Sequence, residues 1–233
     1  MSKLLAELPR HWRLSRVDRI ASVNARIGWK ALTADEYQPD GYVFLSTPNI
    51  KGDQIDFGDV NYISSYRYEE SPELKLAVGD VLLVKDGNTL GITHLIRELP
   101  RPATVNGSIA VLRPFGINPR FLRYVLASVP SQERMSAIKG GMGVPHLFQW
   151  DIKRLSVPLP PMYEQLQIAD FLDAEINRID ALITKQRYMT ELLFARRITV
   201  AADAVSGGLC KTPQPRNRRT LVRNIGKPGD TPY

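Results

Sequence analysis

Pro158-Leu159-Pro160-Pro161-Met162-Tyr163-Glu164-Gln165 leads into a helical pattern that decides how the whole chain is read. Proline is tolerated before and at the first helical position, because the N–H it lacks has no intrahelical partner there. Glu164 falls in the first turn, where a carboxylate suits the positive end of the helix dipole. Ile168, Leu172, Ile176, Ile179 and Ile183 follow at steps of four or three, and Phe171, Leu182, Met189, Leu192 and Leu193 widen the stripe. No Gly or Pro interrupts it before Gly207-Gly208, which would stop a helix. The spacing predicts a helix from Met162 to about Ala202, roughly 60 Å long at 1.5 Å per residue. A small domain spans about half that length. Part of the apolar edge must therefore meet another helix, from this chain or a second one, in an antiparallel pair that spaces two domains. A single long core helix is the simpler alternative. Gln186 and Thr190 on the stripe make the seam imperfect, and polar residues at such positions fix register at some cost in stability.

Composition narrows the setting. A chain of 233 residues with 43% hydrophobic content suits one domain with an appendage, or two small ones. Its one cysteine, Cys210, excludes a disulfide framework and fits a reducing cytosol. No apolar run is long enough to span a bilayer, and Met1 to Glu7 lacks the apolar core of a signal peptide. The expectation is a cytoplasmic protein. The net charge of +7 is unevenly placed: residues 211–233 hold six Lys+Arg against one Asp. Low apolar content and like charge predict a disordered basic tail over 206–233, either a solvated end or a non-specific DNA-contacting arm. Residues 1–159 carry 20 basic against 16 acidic side chains, so charge alone argues weakly for DNA binding.

Upstream of the helix the pattern is mainly β. Trp12, Leu14 and Val17 are expected core anchors, and His11 an ordinary surface residue. Tyr42 to Leu45 predicts a short strand, and Val81 to Val84 a buried one followed by a return strand over Ile92 to Ile96. Ala103 to Leu112 predicts two strands around Asn106-Gly107. Residues 118–139 predict two helices, and Leu147 to Val157 a return to the sheet. Such spacing suits an α+β fold with a mixed or antiparallel sheet, not regular βαβ units. The expected organisation is a domain over 1–157, a long coiled-coil-type helix over 158–205 and the tail.

The helix lead-in, with Ile168, Phe171-Leu172, Ile179-Asp180 and Leu182-Ile183, resembles the start of the conserved helix in specificity subunits of type I restriction–modification systems. Leu8-Pro9-Arg10-His11-Trp12 resembles the start of their target recognition domain. Gly79-Asp80-Val81-Leu82, Lys85-Asp86-Gly87 and Trp150-Asp151-Ile152 resemble its interior. The resemblance implies a non-catalytic subunit that reads double-stranded DNA and has no cofactor of its own. S-adenosylmethionine, ATP and magnesium would sit on partner methyltransferase and motor–nuclease subunits, which methylate adenine and cleave. Full-length members carry two recognition domains and two such helices, and only one of each is found here. That implies a half-length form, working as a homodimer or beside another half on a bipartite site, or else a truncated, non-functional fragment.

Candidate residues follow from loop chemistry. Polar side chains beside glycine suit close approach to DNA. Lys51 and Gln54, then Lys85, Asn88 and Thr89, then Lys139 and His146, are the candidate DNA contacts. Taken singly, each turn also reads as a plain hairpin connection with solvated polar residues. Leu172, Ile176, Ile179, Ile183 and Leu193 form the candidate pairing seam. Pro161, Glu164 and Gln165 are, by resemblance, candidates for docking the methyltransferase. Gly140-Gly141-Met142-Gly143 lacks the Lys-Ser/Thr ending of a P-loop. The scattered histidines and lone Cys210 do not make a metal or Cys–His site. A small nuclease or methyltransferase is the alternative from another class, and a helical interaction protein without DNA specificity is a third.

Overall fold

The computed structural model describes residues 8–26, 32–50, 54–140 and 145–206. Lys51, the 141–143 glycine loop, Gly207-Gly208, Cys210 and the basic tail lie outside the described residues. The chain divides into two compact units, Met1–Glu175 and Ile176–Tyr233.

The first unit is built around two strands, β5 (Val81–Val84) and β8 (Ile109–Pro114). They pair antiparallel, Val81 opposite Leu112 and Val84 opposite Ile109. β2 (Ala21–Ala25) and β6 (Thr93–Leu95) flank them in a four-stranded sheet ordered β2-β8-β5-β6. Successive strand side chains point to opposite faces, and here both faces are covered. Val81, Leu83, Ala110 and Leu112 enter one core, shared with Phe121, Leu122, Leu126, Met135 and Ile152. Leu82, Val84, Ile109 and Val111 enter a second, shared with Val43, Leu45, Val105, Leu74 and Leu76. A strand buried on both faces shows an unbroken apolar run, which is why Val81-Leu82-Leu83-Val84 carries no polar residue.

The first core is covered by helices: α2 (Pro119–Ala127), α3 (Val129–Ile138) and α4 (Gln149–Lys153). The second is covered by a three-stranded sheet ordered β4-β3-β7, from β3 (Tyr42–Leu45), β4 (Asn61–Ile63) and β7 (Ala103–Val105). β3 and β7 run parallel, and β3 and β4 antiparallel. On this sheet Phe44, Ile63 and Tyr68 form a third, small cluster, with Tyr68, from α1 (Ser65–Glu69), stacked on Tyr42 at 4.1 Å between centroids. The fold is therefore α+β with mixed and antiparallel sheets, as the strand spacing predicts.

Two local expectations are corrected. The strands either side of Asn106-Gly107 do not pair with each other. β7 joins β3 and β8 joins β5, so the turn carries the chain from one sheet to the other. Leu147 to Val157 does not return directly as a strand. It forms α4, capped by the Asp151 carboxylate on the Phe148 N–H, before β9 (Ser156–Leu159) pairs antiparallel with β1 (Arg13–Arg16).

Prolines precede α5, which runs from Met162 to Val205, 44 residues without interruption. Its first turns belong to the first unit, because Gln165 and Ala169 are buried and Ile168 packs on the helix-covered core. The division between the two units falls inside the helix, between Glu175 and Ile176. In the second unit Ile179, Leu182, Ile183, Met189, Leu192, Leu193, Phe194 and Ile198 are all exposed.

Candidate nucleic-acid interface

Strand direction gathers the polar loops at one edge. β3 and β7 end side by side at Leu45 and Val105. β8 begins at Ile109 where β5 ends at Val84, and β6 begins at Thr93 opposite Leu83. The loops after β3, β5 and β7 therefore leave from the same edge. Backbone bonds connect them: Asn106 N–H donates to Leu45 O at 2.8 Å, and Lys85 N–H to Ser108 O at 2.8 Å.

The 85–91 turn is closed by Gly91 N–H on Val84 O at 2.9 Å, with Gly87 and Gly91 at φ of +83° and +96°. These left-handed conformations favour glycine. A second segment, distant in sequence, is sewn onto this turn. Gly87 N–H donates to Pro145 O at 2.9 Å and Leu147 N–H to Lys85 O at 2.8 Å. His146 and Gly140 exchange two backbone bonds, at 2.9 and 3.0 Å. The His146 ring meets the Asp86 carboxylate through Nδ1, and the Lys85 ammonium donates to the other Asp86 oxygen at 2.9 Å. Lys85, Asn88, Thr89, Lys139 and His146, drawn from two separate loops, thus form one cluster.

Within that cluster the side chains differ. Asn88 and Lys139 are exposed, and Thr89 and His146 half-buried. Lys85 is 7% exposed with its charge satisfied by Asp86. This corrects its expected place among outward contacts: Asp86 holds the ammonium inside, and it serves the turn. Gln54 is exposed. Nearby in sequence, buried Asn49 ties Ser46 to Asp59: its Oδ1 accepts the Ser46 N–H at 2.9 Å and its amide donates to Asp59 O at 2.6 Å. Asn49 is not among the candidates; its signal is the Ser-x-x-Asn spacing of Ser46 to Asn49, a local turn.

Arg26, also outside the candidates, is a buried latch between the sheets. Leaving β2, it donates to Val105 O at 3.3 Å and reaches Ser71 Oγ and Thr104 Oγ1 at 3.3 and 3.4 Å. Burial, with Arg67 nearby, lowers its pKa from the ordinary guanidinium value.

The base of α5 is fixed by three polar side chains. Glu164 accepts the Trp12 indole N–H at 2.8 Å and the Tyr163 hydroxyl at 2.8 Å, and bonds His11 Nε2 at 2.8 Å. Burial pushes its carboxyl upward, but these bonds outweigh it and leave the pKa lowered. Gln165 is 2% exposed; its Oε1 accepts the Asn118 N–H at 2.8 Å, and its amide donates to Pro160 O at 2.8 Å. Asp173 accepts from Arg97 at 2.7 Å, Arg120 at 2.8 Å and the Tyr124 hydroxyl at 2.6 Å. Burial again pushes the carboxyl up, yet the three donors hold its pKa at about 2. The expected docking role of Gln165 is corrected, because its amide is consumed inside the first unit. Pro161 remains exposed, while Glu164 is half-buried. His11, expected to be an ordinary surface residue, is exposed but bonded to Glu164, and Trp12 is held by its indole N–H as well as by packing.

Among the described residues no group of three or more His, Cys, Asp or Glu is placed to hold a metal ion. Among them, too, no helix is long and apolar enough to cross a membrane.

The chain is similar to known proteins across most of its length. The family model described as "Type I restriction modification DNA specificity domain" matches residues 9–189. The type I restriction enzyme StySPI specificity subunit of Salmonella potsdam is 22% identical over 220 residues, 93% of this chain and 47% of that protein. A solved structure from work on assembly and conformational transition of a type I R-M system superposes with a TM-score of 0.66 at 21% identity, over 85% of this chain and 46% of that one. The HsdS subunit from Thermoanaerobacter tengcongensis gives a TM-score of 0.57 at 22% identity, over 76% of this chain and 40% of that one. The chain spans about half the length of the curated relatives it matches. With the family model covering well over half of its residues, the chain belongs to the family of type I restriction modification DNA specificity domains.

Proposed function

We propose that this chain reads a DNA sequence for a type I restriction–modification complex and leaves methylation and cleavage to partner subunits. The observation that carries the reading is the meeting of two separately encoded polar loops on one sheet edge, joined through Asp86 and His146, in a domain of this family. Asn88, Thr89, Lys139 and His146 are the side chains offered there for base and phosphate contact, with Gln54 as a further candidate. Lys51 is retained as a candidate from its sequence alone. Phosphate contacts give affinity and register, and base-edge contacts give sequence.

In this reading residues 1–157 form the recognition domain, 158–205 the spacing helix and 206–233 a basic tail. The exposed apolar side chains of α5 support pairing with a second helix of the same kind, from another copy or another half subunit. Ile176, Ile179, Ile183 and Leu193 lie on that seam, with Leu172 at its start. Pro161 and the first turn of α5 are offered to the methyltransferase subunit. Motor–nuclease subunits would join for cleavage.

Methylated adenines mapped in cells with and without the gene test the reading. Loss of methylation at one sequence motif is the expected result, and an unchanged methylome sinks it. Incubating the chain alone with duplex DNA, S-adenosylmethionine and magnesium is expected to yield no product; any product favours the enzyme alternative.

A further inference from the structure

Beside the loop cluster lie two large aromatic side chains that packing leaves about half exposed. Phe148 and Trp150 are 47% and 54% exposed, and their rings stack with centroids 5.9 Å apart and planes 14° from parallel. The ladder continues both ways. The His146 ring meets Phe148 edge-on at 4.5 Å, and the Arg154 guanidinium lies over the Trp150 ring at 5.3 Å. The backbone beneath is held: Leu147 is buried, α4 is capped by Asp151, and the Gln149 side chain donates to Val23 O. A Cβ on Gly140 would sit 3.5 Å from the Phe148 ring, so the ring also rests against that turn.

The charges around the ladder favour a polyanion. Asp86 is paired with the Lys85 ammonium and bonded to the His146 ring, and Asp151 is buried and turned onto the Phe148 N–H. Lys139 and Arg154 remain exposed. Half-exposed aromatic rings on a held backbone, with a guanidinium nearby, suit insertion at a base step.

Resting on the DNA-recognition reading above, we propose that the Phe148–Trp150 pair is a stacking wedge. It engages duplex DNA at a deformable base step, next to the loops that read sequence. Pyrimidine–purine steps unstack most readily, so the wedge would add a preference at a position no polar side chain contacts.

The test uses the full chain and duplexes selected from a pool with a randomised centre. Affinity and its salt dependence are measured for wild type, Trp150→Ala, Trp150→Phe and Phe148→Ala, with thermal midpoints to confirm folding. Trp150→Ala is expected to weaken binding about tenfold with an unchanged salt slope, because stacking releases no counterions. Trp150→Phe is expected to restore most of the affinity. Equal affinity of Trp150→Ala and wild type overturns the wedge while leaving recognition standing. So does loss of methyltransferase-subunit binding with DNA affinity intact, which makes the patch a protein dock. A salt slope that falls by about one assigns the effect to a phosphate contact of Arg154 and also overturns stacking. A wild-type chain that binds no duplex overturns both the wedge and the reading beneath it.

Discussion

Single side chains decide how α5 is held. Asp173 gathers Arg97, Arg120 and Tyr124. A carboxyl with a folded pKa of about 2, against an ordinary aspartate value of 3.8, stabilises the fold above pH 4. That contribution, about 2 kcal/mol at most, fades as pH falls toward 2. Asp173→Asn is therefore expected to lower the urea midpoint at pH 7, and the gap to wild type to close between pH 4 and 2; a gap independent of pH in that window counts against the assignment. Gln165→Ala leaves the Asn118 N–H without its acceptor, and is expected to cost about 1–3 kcal/mol in denaturant titration. Lys85→Ala is expected to lose stability by exposing an unbalanced Asp86 in the turn, with little direct effect on the salt slope of DNA binding. Lys139→Ala should do the reverse: weaken binding across all sequences and reduce the slope by about one.

At the scale of elements, the same helix serves two ends. Its first turns bury Gln165 and Ala169 in the domain, and from Ile179 onward its apolar side chains are exposed. Ile179→Asp is expected to turn a dimer into a monomer in sedimentation without lowering the melting temperature of the first unit, since a charge is tolerated in water but not at an apolar seam. An unchanged assembly state shows that the seam lies elsewhere. The 85–91 turn offers a matched pair of tests. At Gly87 an added Cβ meets nothing within 4 Å, so alanine faces only the cost of its positive φ, about 1 kcal/mol. At Gly91 the same Cβ would lie 2.3 Å from Gln132 Oε1, whose amide donates to Gly91 O at 2.8 Å. Alanine there is expected to destabilise more, by displacing the Gln132 contact as well.

For the molecule as a whole, the antiparallel pairing of β5 with β8 and the parallel pairing of β3 with β7 fix which strand ends lie together. The loop edge follows from that topology. Opposite it, the start of β5 and end of β8 join through Arg113, which donates to both Asp80 oxygens at 2.8 Å. From the same end the chain reaches Arg97, Asn118 and Arg120, the residues that grip α5. The polar loop cluster and the helix anchor thus leave the central sheet at opposite ends.

The sequence alone determined the α+β character, the long helix and the polar turns, because periodicity and Gly/Pro punctuation are local properties. It also carried the family resemblance, through the Pro-rich lead-in and the apolar steps that follow. Tertiary structure alone decided that Lys85 and Gln165 face inward, that two loops sixty residues apart join at Asp86 and His146, and that Phe148 and Trp150 stay about half exposed. Burial and pairing depend on which segments distant in sequence become neighbours. A lysine beside glycine has the same local signature whether its ammonium meets water, phosphate or the carboxylate of the next residue.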